Sequence, residues 1–162
     1  MKANIILTGI VSMSVMISAC NSENKTSDNQ DSTITSPNVT ASPLDSLKTF
    51  SGKYPEEVGL LENKTLQARL TSLLGDEYPA FRKSWNTESP IVVEANIFGT
   101  SGCEQHNCGD NSYWLFINFS TDNINVYHIV KGHLIVYKEK EQFELQGTLK
   151  RDFDAATSDL KL

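Results

Sequence analysis

From residue 90 to residue 138 the sequence repeats its apolar positions every second residue, and no all-helical fold accommodates that pattern. The stretch "PIVVEANIFG" sets Ile91, Val93, Ala95 and Ile97 against Val92, Glu94, Asn96 and Phe98, which predicts a strand. "SYWLFINFS" is aromatic and β-branched, and Thr121-Asp122-Asn123 after it is a turn signal. "INVYHIVKG" and "HLIVYKE" predict two more strands, joined at Lys131-Gly132-His133. Consecutive strands with short connections pair antiparallel, so the sheet is expected to be a meander.

The residues before this run have a helical period. "NKTLQARLTSLLG" spaces Leu66, Leu70, Leu73 and Leu74 along one helix face, with Asn63 placed to cap its start and Gly75 to stop it. In "EYPAFRKSWN", Pro79 suits a first helical turn, and Tyr78, Phe81 and Trp85 fall on one side, read as core rather than as a binding face. Beyond the meander, "FELQGTLKRDFDAATSDLKL" predicts a last strand near 143–149 and a short C-terminal helix. Helices first and strands after define an α+β fold: an antiparallel sheet meander with the N-terminal helices packed on one face.

The N-terminus points to the cell envelope. Lys2 precedes a mostly apolar run, "IILTGIVSMSVMI", that is too short to span a membrane and has the form of a secretion signal. Ile17-Ser18-Ala19-Cys20 resembles the lipobox of bacterial lipoproteins, and that resemblance implies cleavage before Cys20 and acylation of it, palmitate included. Asn21 is not the aspartate that resembles an inner-membrane retention signal, so the expected location is the outer membrane, facing the periplasm. The expected organisation is a signal peptide over 1–19, a lipidated flexible tether over 20–44 and one domain over 45–162. The tether is rich in Ser, Asn, Thr and Asp and holds little that could be buried. The formal net charge of −6 becomes more negative once Lys2 is removed. That balance argues against nucleic acid and suits a basic protein partner.

Lipidation of Cys20 leaves Cys103 and Cys108 as a pair among the 3 cysteines. In an oxidising compartment an even remainder favours a disulfide, and a ring this short contributes only about 2 kcal/mol by chain entropy. Such a bond shapes a loop more than it holds a fold. The loop, "TSGCEQHNCGDNS", falls between two strands and carries His106. Cys103, His106 and Cys108, with His128 or His133, could ligate a metal, but no second ligand pair at zinc spacing exists. Neither a C-x-x-C redox motif nor a G-x-S-x-G nucleophile elbow is present. Asp152 and Asp154 sit in a charged stretch and read as solvated surface. His128 falls in a strand in register with Ile124, Val126 and Val130, hence a sheet-face or core residue, while His133 beside a turn glycine faces solvent. The expectation is therefore a non-enzymatic chain without metal or cofactor, in which His106 is the histidine its surroundings single out.

"GCEQHNCG" resembles the signature loop of the inhibitor of vertebrate lysozyme family: cysteine, two residues, histidine, one residue, cysteine. The resemblance implies an antiparallel sheet with helices on one side, and a disulfide-closed loop that inserts its histidine into the lysozyme cleft. It implies that Cys103, Glu104, Gln105, His106, Asn107 and Cys108 form the binding loop, with lysozyme as the partner. Glu104, Gln105 and Asn107 stand where the family's best-known loop carries lysine, proline and aspartate. A positive charge and a stiffening ring are thus lost, and a carboxylate becomes an amide. Similar loops also occur in lipoproteins of no known activity, so an adaptor that binds another envelope protein is the alternative reading; a homodimer is left open.

Overall fold

The computed structural model describes residues 41–160. The expected signal peptide, the lipidation site Cys20 and most of the expected tether lie outside the described residues. Short 3-10 turns at Asp45–Phe50 and Leu60–Glu62 lead into α1, Lys64–Leu74. The cap expected at Asn63 is present: its Oδ1 accepts the Leu66 N–H at 3.0 Å. Gly75 ends α1 with φ of 53°, a left-handed value that glycine adopts without strain. The helix α2, Tyr78–Lys83, carries Pro79 in its first turn, as expected.

The sheet has strands β1 (Thr87–Glu88), β2 (Val92–Glu94), β3 (Ile97–Cys103), β4 (Asn111–Asn118), β5 (Asn123–Val130) and β6 (His133–Lys138). Its order is β1-β3-β4-β5-β6, all antiparallel, with β2 also on β3. The meander is thus as expected, with two corrections. The stretch 90–99 is not one strand. Ala95 and Asn96, with φ of 48° and 62°, turn the chain so that Glu94 pairs with Ile97, a two-residue hairpin of the type that needs two left-handed residues. β1 and β2 together make one edge interrupted at Pro90, whose missing N–H cannot join a ladder. The strand expected near 143–149 is also absent. Residues 143–146 are irregular, and Gly147–Thr157 forms α3.

Both faces of the sheet are covered, where helices on one face were expected. Leu66, Leu70 and Leu74 of α1 and Phe81 of α2 share a buried cluster with Tyr113, Leu115, Ile117 and Val126. The alternate residues, Phe116 and Tyr127, form a second cluster with Leu149 of α3, joined by half-buried Trp114 and Phe153. The expectation that Tyr78, Phe81 and Trp85 are core residues holds: Phe81 and Trp85 are buried, and Tyr78 packs against them. Phe81 meets Tyr113 edge-on at 5.3 Å between ring centroids and lies 5.3 Å from Trp85. Trp85 in turn lies so close over Gly102 that a β-carbon there would collide with the indole.

The first described residues are fastened to one end of this sheet. Ser42 Oγ donates to Asp122 Oδ1 at 2.6 Å, in the turn between β4 and β5, and Leu44 is fully buried. Arg69 binds the same carboxylate at 2.7 Å and also pairs with Glu139. The Ser42 hydroxyl first, and the Arg69 guanidinium with it, hold the Asp122 carboxyl below the usual range. Among the described residues, no helix is long and apolar enough to cross a membrane.

Candidate functional site: a disulfide-closed loop

The sheet's opposite end carries the cysteine loop. Cys103 ends β3 opposite Ser112 of β4, and the chain between them is closed by the Cys103–Cys108 disulfide, with 5.0 Å between the Cα atoms. Two successive turns shape the loop, the first inside the ring and the second leading out of it. Asn107 N–H donates to Glu104 C=O at 3.0 Å, and His106 between them has φ of 63°. A left-handed third residue is the mark of a type II turn, a place taken most often by glycine or asparagine. The second turn begins at Asn107, whose carbonyl accepts from Asp110 N–H at 3.1 Å and from Asn111 N–H at 2.9 Å. Asp110 C=O then accepts from Lys131 N–H at 2.9 Å, tying the loop root to the β5–β6 turn.

Exposure follows from this path. Cys103 is buried against the sheet, whereas Gln105, His106 and Cys108 are exposed. The left-handed residue carries the imidazole out at the tip, and the two turns with the crosslink leave the tip little freedom. Glu104 is half-buried and its carboxylate turns back onto the loop, accepting from Asn107 Nδ2 at a long 3.4 Å. Next to the disulfide, on the α3 side of the sheet, a hollow of about 280 Å³ is lined by Gly102, Cys103, Cys108, Ser112, Trp114 and Ile129. Ala156, near the end of α3, completes its wall.

The other candidate residues are dispersed. His133 is exposed at the start of β6. Asp152 and Asp154 lie exposed on α3, paired with Arg151 at 2.9 Å and Lys150 at 2.5 Å. Among the described residues, no three His, Cys, Asp or Glu side chains are grouped as metal ligands. Both loop sulfurs are committed to the crosslink.

His128 is buried on the α1/α2 side of the sheet, as the register suggested, but in polar company that the sequence did not reveal. Its ring lies flat on Tyr113 at 3.9 Å, its Nε2 is 2.8 Å from Asn111 Oδ1, and its Nδ1 is 3.5 Å from Glu77 Oε1. Tyr113 OH donates to the same Glu77 oxygen at 2.5 Å. Burial, opposed by the attraction of Glu77, lowers the His128 pKa. Burial and the Glu77 carboxylate both push the Tyr113 hydroxyl upward. Asn111, Glu77 and Tyr113 carried no signal in the sequence, because the cluster joins residues far apart in the chain.

The lowered pKa fixes the sign of a pH effect. Below pH ~6.5 the unfolded chain takes up a proton at this histidine while the folded chain resists it, so stability falls as the solution is acidified. Chemical denaturation between pH 7.5 and 5.5 should show this decline in the parent protein. The decline should flatten in His128→Phe, which keeps the stacked ring without its titrating nitrogens.

The chain is thus a small α+β domain that presents an exposed, crosslinked loop at one end of its sheet. Residues 65–157, more than half of the chain and including the whole loop, match the family described as inhibitor of vertebrate lysozyme. The chain belongs to the inhibitor of vertebrate lysozyme family. No curated protein and no solved structure gives a significant match to it. The family is one of inhibitors rather than enzymes, and membership supports lysozyme inhibition, with lysozyme as the partner it implies.

Proposed function

We propose that this protein is a lipid-anchored envelope inhibitor that blocks lysozyme by inserting the Cys103–Cys108 loop into the active-site cleft with His106 leading. The observation that carries this reading is the exposed imidazole held at the tip of a crosslinked, doubly turned loop. Lysozyme uses a carboxylic acid and a carboxylate facing each other across a groove. An imidazole entering between them can donate hydrogen bonds to both. A loop that already holds its bound shape loses little conformational entropy on docking. The negative net charge favours encounter with a basic lysozyme. Glu104, the residue least suited to an acidic cleft, has its carboxylate turned toward the loop's own Asn107.

The anchor in this proposal is Cys20, acylated after removal of residues 1–19, with the residues after it acting as a spacer that leaves the domain facing the periplasm. Protection of the peptidoglycan under an outer membrane is the service such an arrangement performs. Two measurements test the proposal. The purified protein, with its disulfide intact, should inhibit at least one enzyme in a panel of c-, g- and i-type lysozymes at near-equal stoichiometry; inhibition of none removes the lysozyme reading. Cys20→Ala should release the protein from membrane fractions or leave it unprocessed, and normal membrane attachment of that variant removes the anchor.

A further inference from the structure

Asn111 stands where three parts of the molecule meet. It is the first residue of β4, its backbone N–H closes the second loop turn on Asn107 C=O at 2.9 Å, and its side chain reaches His128 on β5 at 2.8 Å. Asn111 Oδ1 can only accept, so His128 Nε2 is the donor and carries the ring hydrogen. The ring itself cannot drift. It stacks on Tyr113 at 3.9 Å, and Tyr113 is fixed at its hydroxyl by Glu77, next to the start of α2. The ionisable groups facing His128 are Glu77 from the α2 side and Tyr113 from β4, with Tyr137 of β6 close enough to feel Glu77. His128 Nδ1 is buried and has no hydrogen-bond partner. A core that needed only an aromatic ring here would do better with phenylalanine, since burying an unpaired polar nitrogen is costly.

We propose that Asn111 and His128 are a positioning pair for the inhibitory loop: the buried imidazole holds the Asn111 side chain so that its N–H keeps the second turn closed, and the tip bearing His106 is presented in a single orientation. This rests on the reading of the loop as the lysozyme-binding element and adds the residues that set its pose. His128 touches no lysozyme in this arrangement. It acts through Asn111.

The experiment compares His128→Phe, Asn111→Ala and Asn111→Asp in the full-length protein by amide hydrogen exchange and by lysozyme binding. His128→Phe and Asn111→Ala should each speed exchange at Asp110 and Asn111 by about tenfold, with Leu115 and Phe116 in the middle of β4 unchanged, and should weaken binding by about the same factor. The double variant should be no worse than the more severe single, as expected for two ends of one interaction. Asn111→Asp keeps an acceptor for Nε2–H and should retain parental exchange at both amides. Parental exchange in His128→Phe and Asn111→Ala overturns the proposal. So does faster exchange with unchanged binding, provided that His106→Gly still weakens binding. If His106→Gly leaves binding unchanged as well, the loop reading itself has failed, while the exchange rates still decide whether the pair orders the loop.

Discussion

His106→Gly is expected to weaken lysozyme binding by about 2–5 kcal/mol, the range for deleting one partner of a buried charged contact at an interface. Residue 106 sits at φ of 63°, a conformation that glycine occupies freely, so this variant removes the imidazole without forcing the turn open. The melting temperature of His106→Gly should stay close to that of the parent, since an exposed tip supports no core. Titration calorimetry against an inhibited lysozyme checks the affinity, and a thermal melt checks the fold. The same turn offers a variant in the other direction. Gln105 is its second residue, where proline is favoured, and no hydrogen bond from its N–H would be lost. Gln105→Pro should therefore tighten binding by reducing the freedom of the unbound loop, by about 0.4–1 kcal/mol. Parental affinity in His106→Gly would remove the histidine from the interface.

Phe81→Ala is expected to have the largest effect on stability, about 3–5 kcal/mol. The ring is fully buried and lies among Tyr78, Trp85 and Tyr113, joining α2 to β4. For a domain of this size the loss lowers the melting temperature by about 10–20 °C. The melt is the readout for this variant, since Phe81 packs on Tyr113, whose ring carries His128 behind the loop. A normal melting curve would mean that the two elements do not depend on this contact.

Local rules made α1 and the β4–β5–β6 meander legible. Asn63 caps with its own side chain, Gly75 takes its own left-handed turn, and Lys131-Gly132 bends the last hairpin with φ values of 50° and 75°. The misread elements depended on partners elsewhere. Ala95-Asn96 forms a turn without glycine, and an apolar alternation running through it concealed the break. The start of α3 has no side-chain cap from its neighbour Gln146; Glu94 instead accepts the Leu149 N–H at 2.8 Å from 55 residues away. The sequence therefore reads as a strand over 143–149 ahead of the short C-terminal helix, because nothing next to Gly147 marks where α3 begins. The second covered face did leave a trace. Tyr113 to Ile117 is apolar without interruption, which signals burial on both sides of a strand rather than on one. At the site, the sequence yielded the cysteines and the histidine together with their spacing. The turn that orients His106 and the Asn111–His128 contact arise from backbone angles and cross-strand register.

The Ser42–Asp122 bond bears on how such an inhibitor can be mounted. It places the entry of the chain at the turn after β4, whereas the loop springs from that strand's other end, about 20 Å away at the rise of an extended strand. Whatever holds the protein by the residues before 41 therefore holds it by the pole remote from His106. Under the lipid-anchored reading proposed above, the end that makes contact is the one such an attachment leaves free.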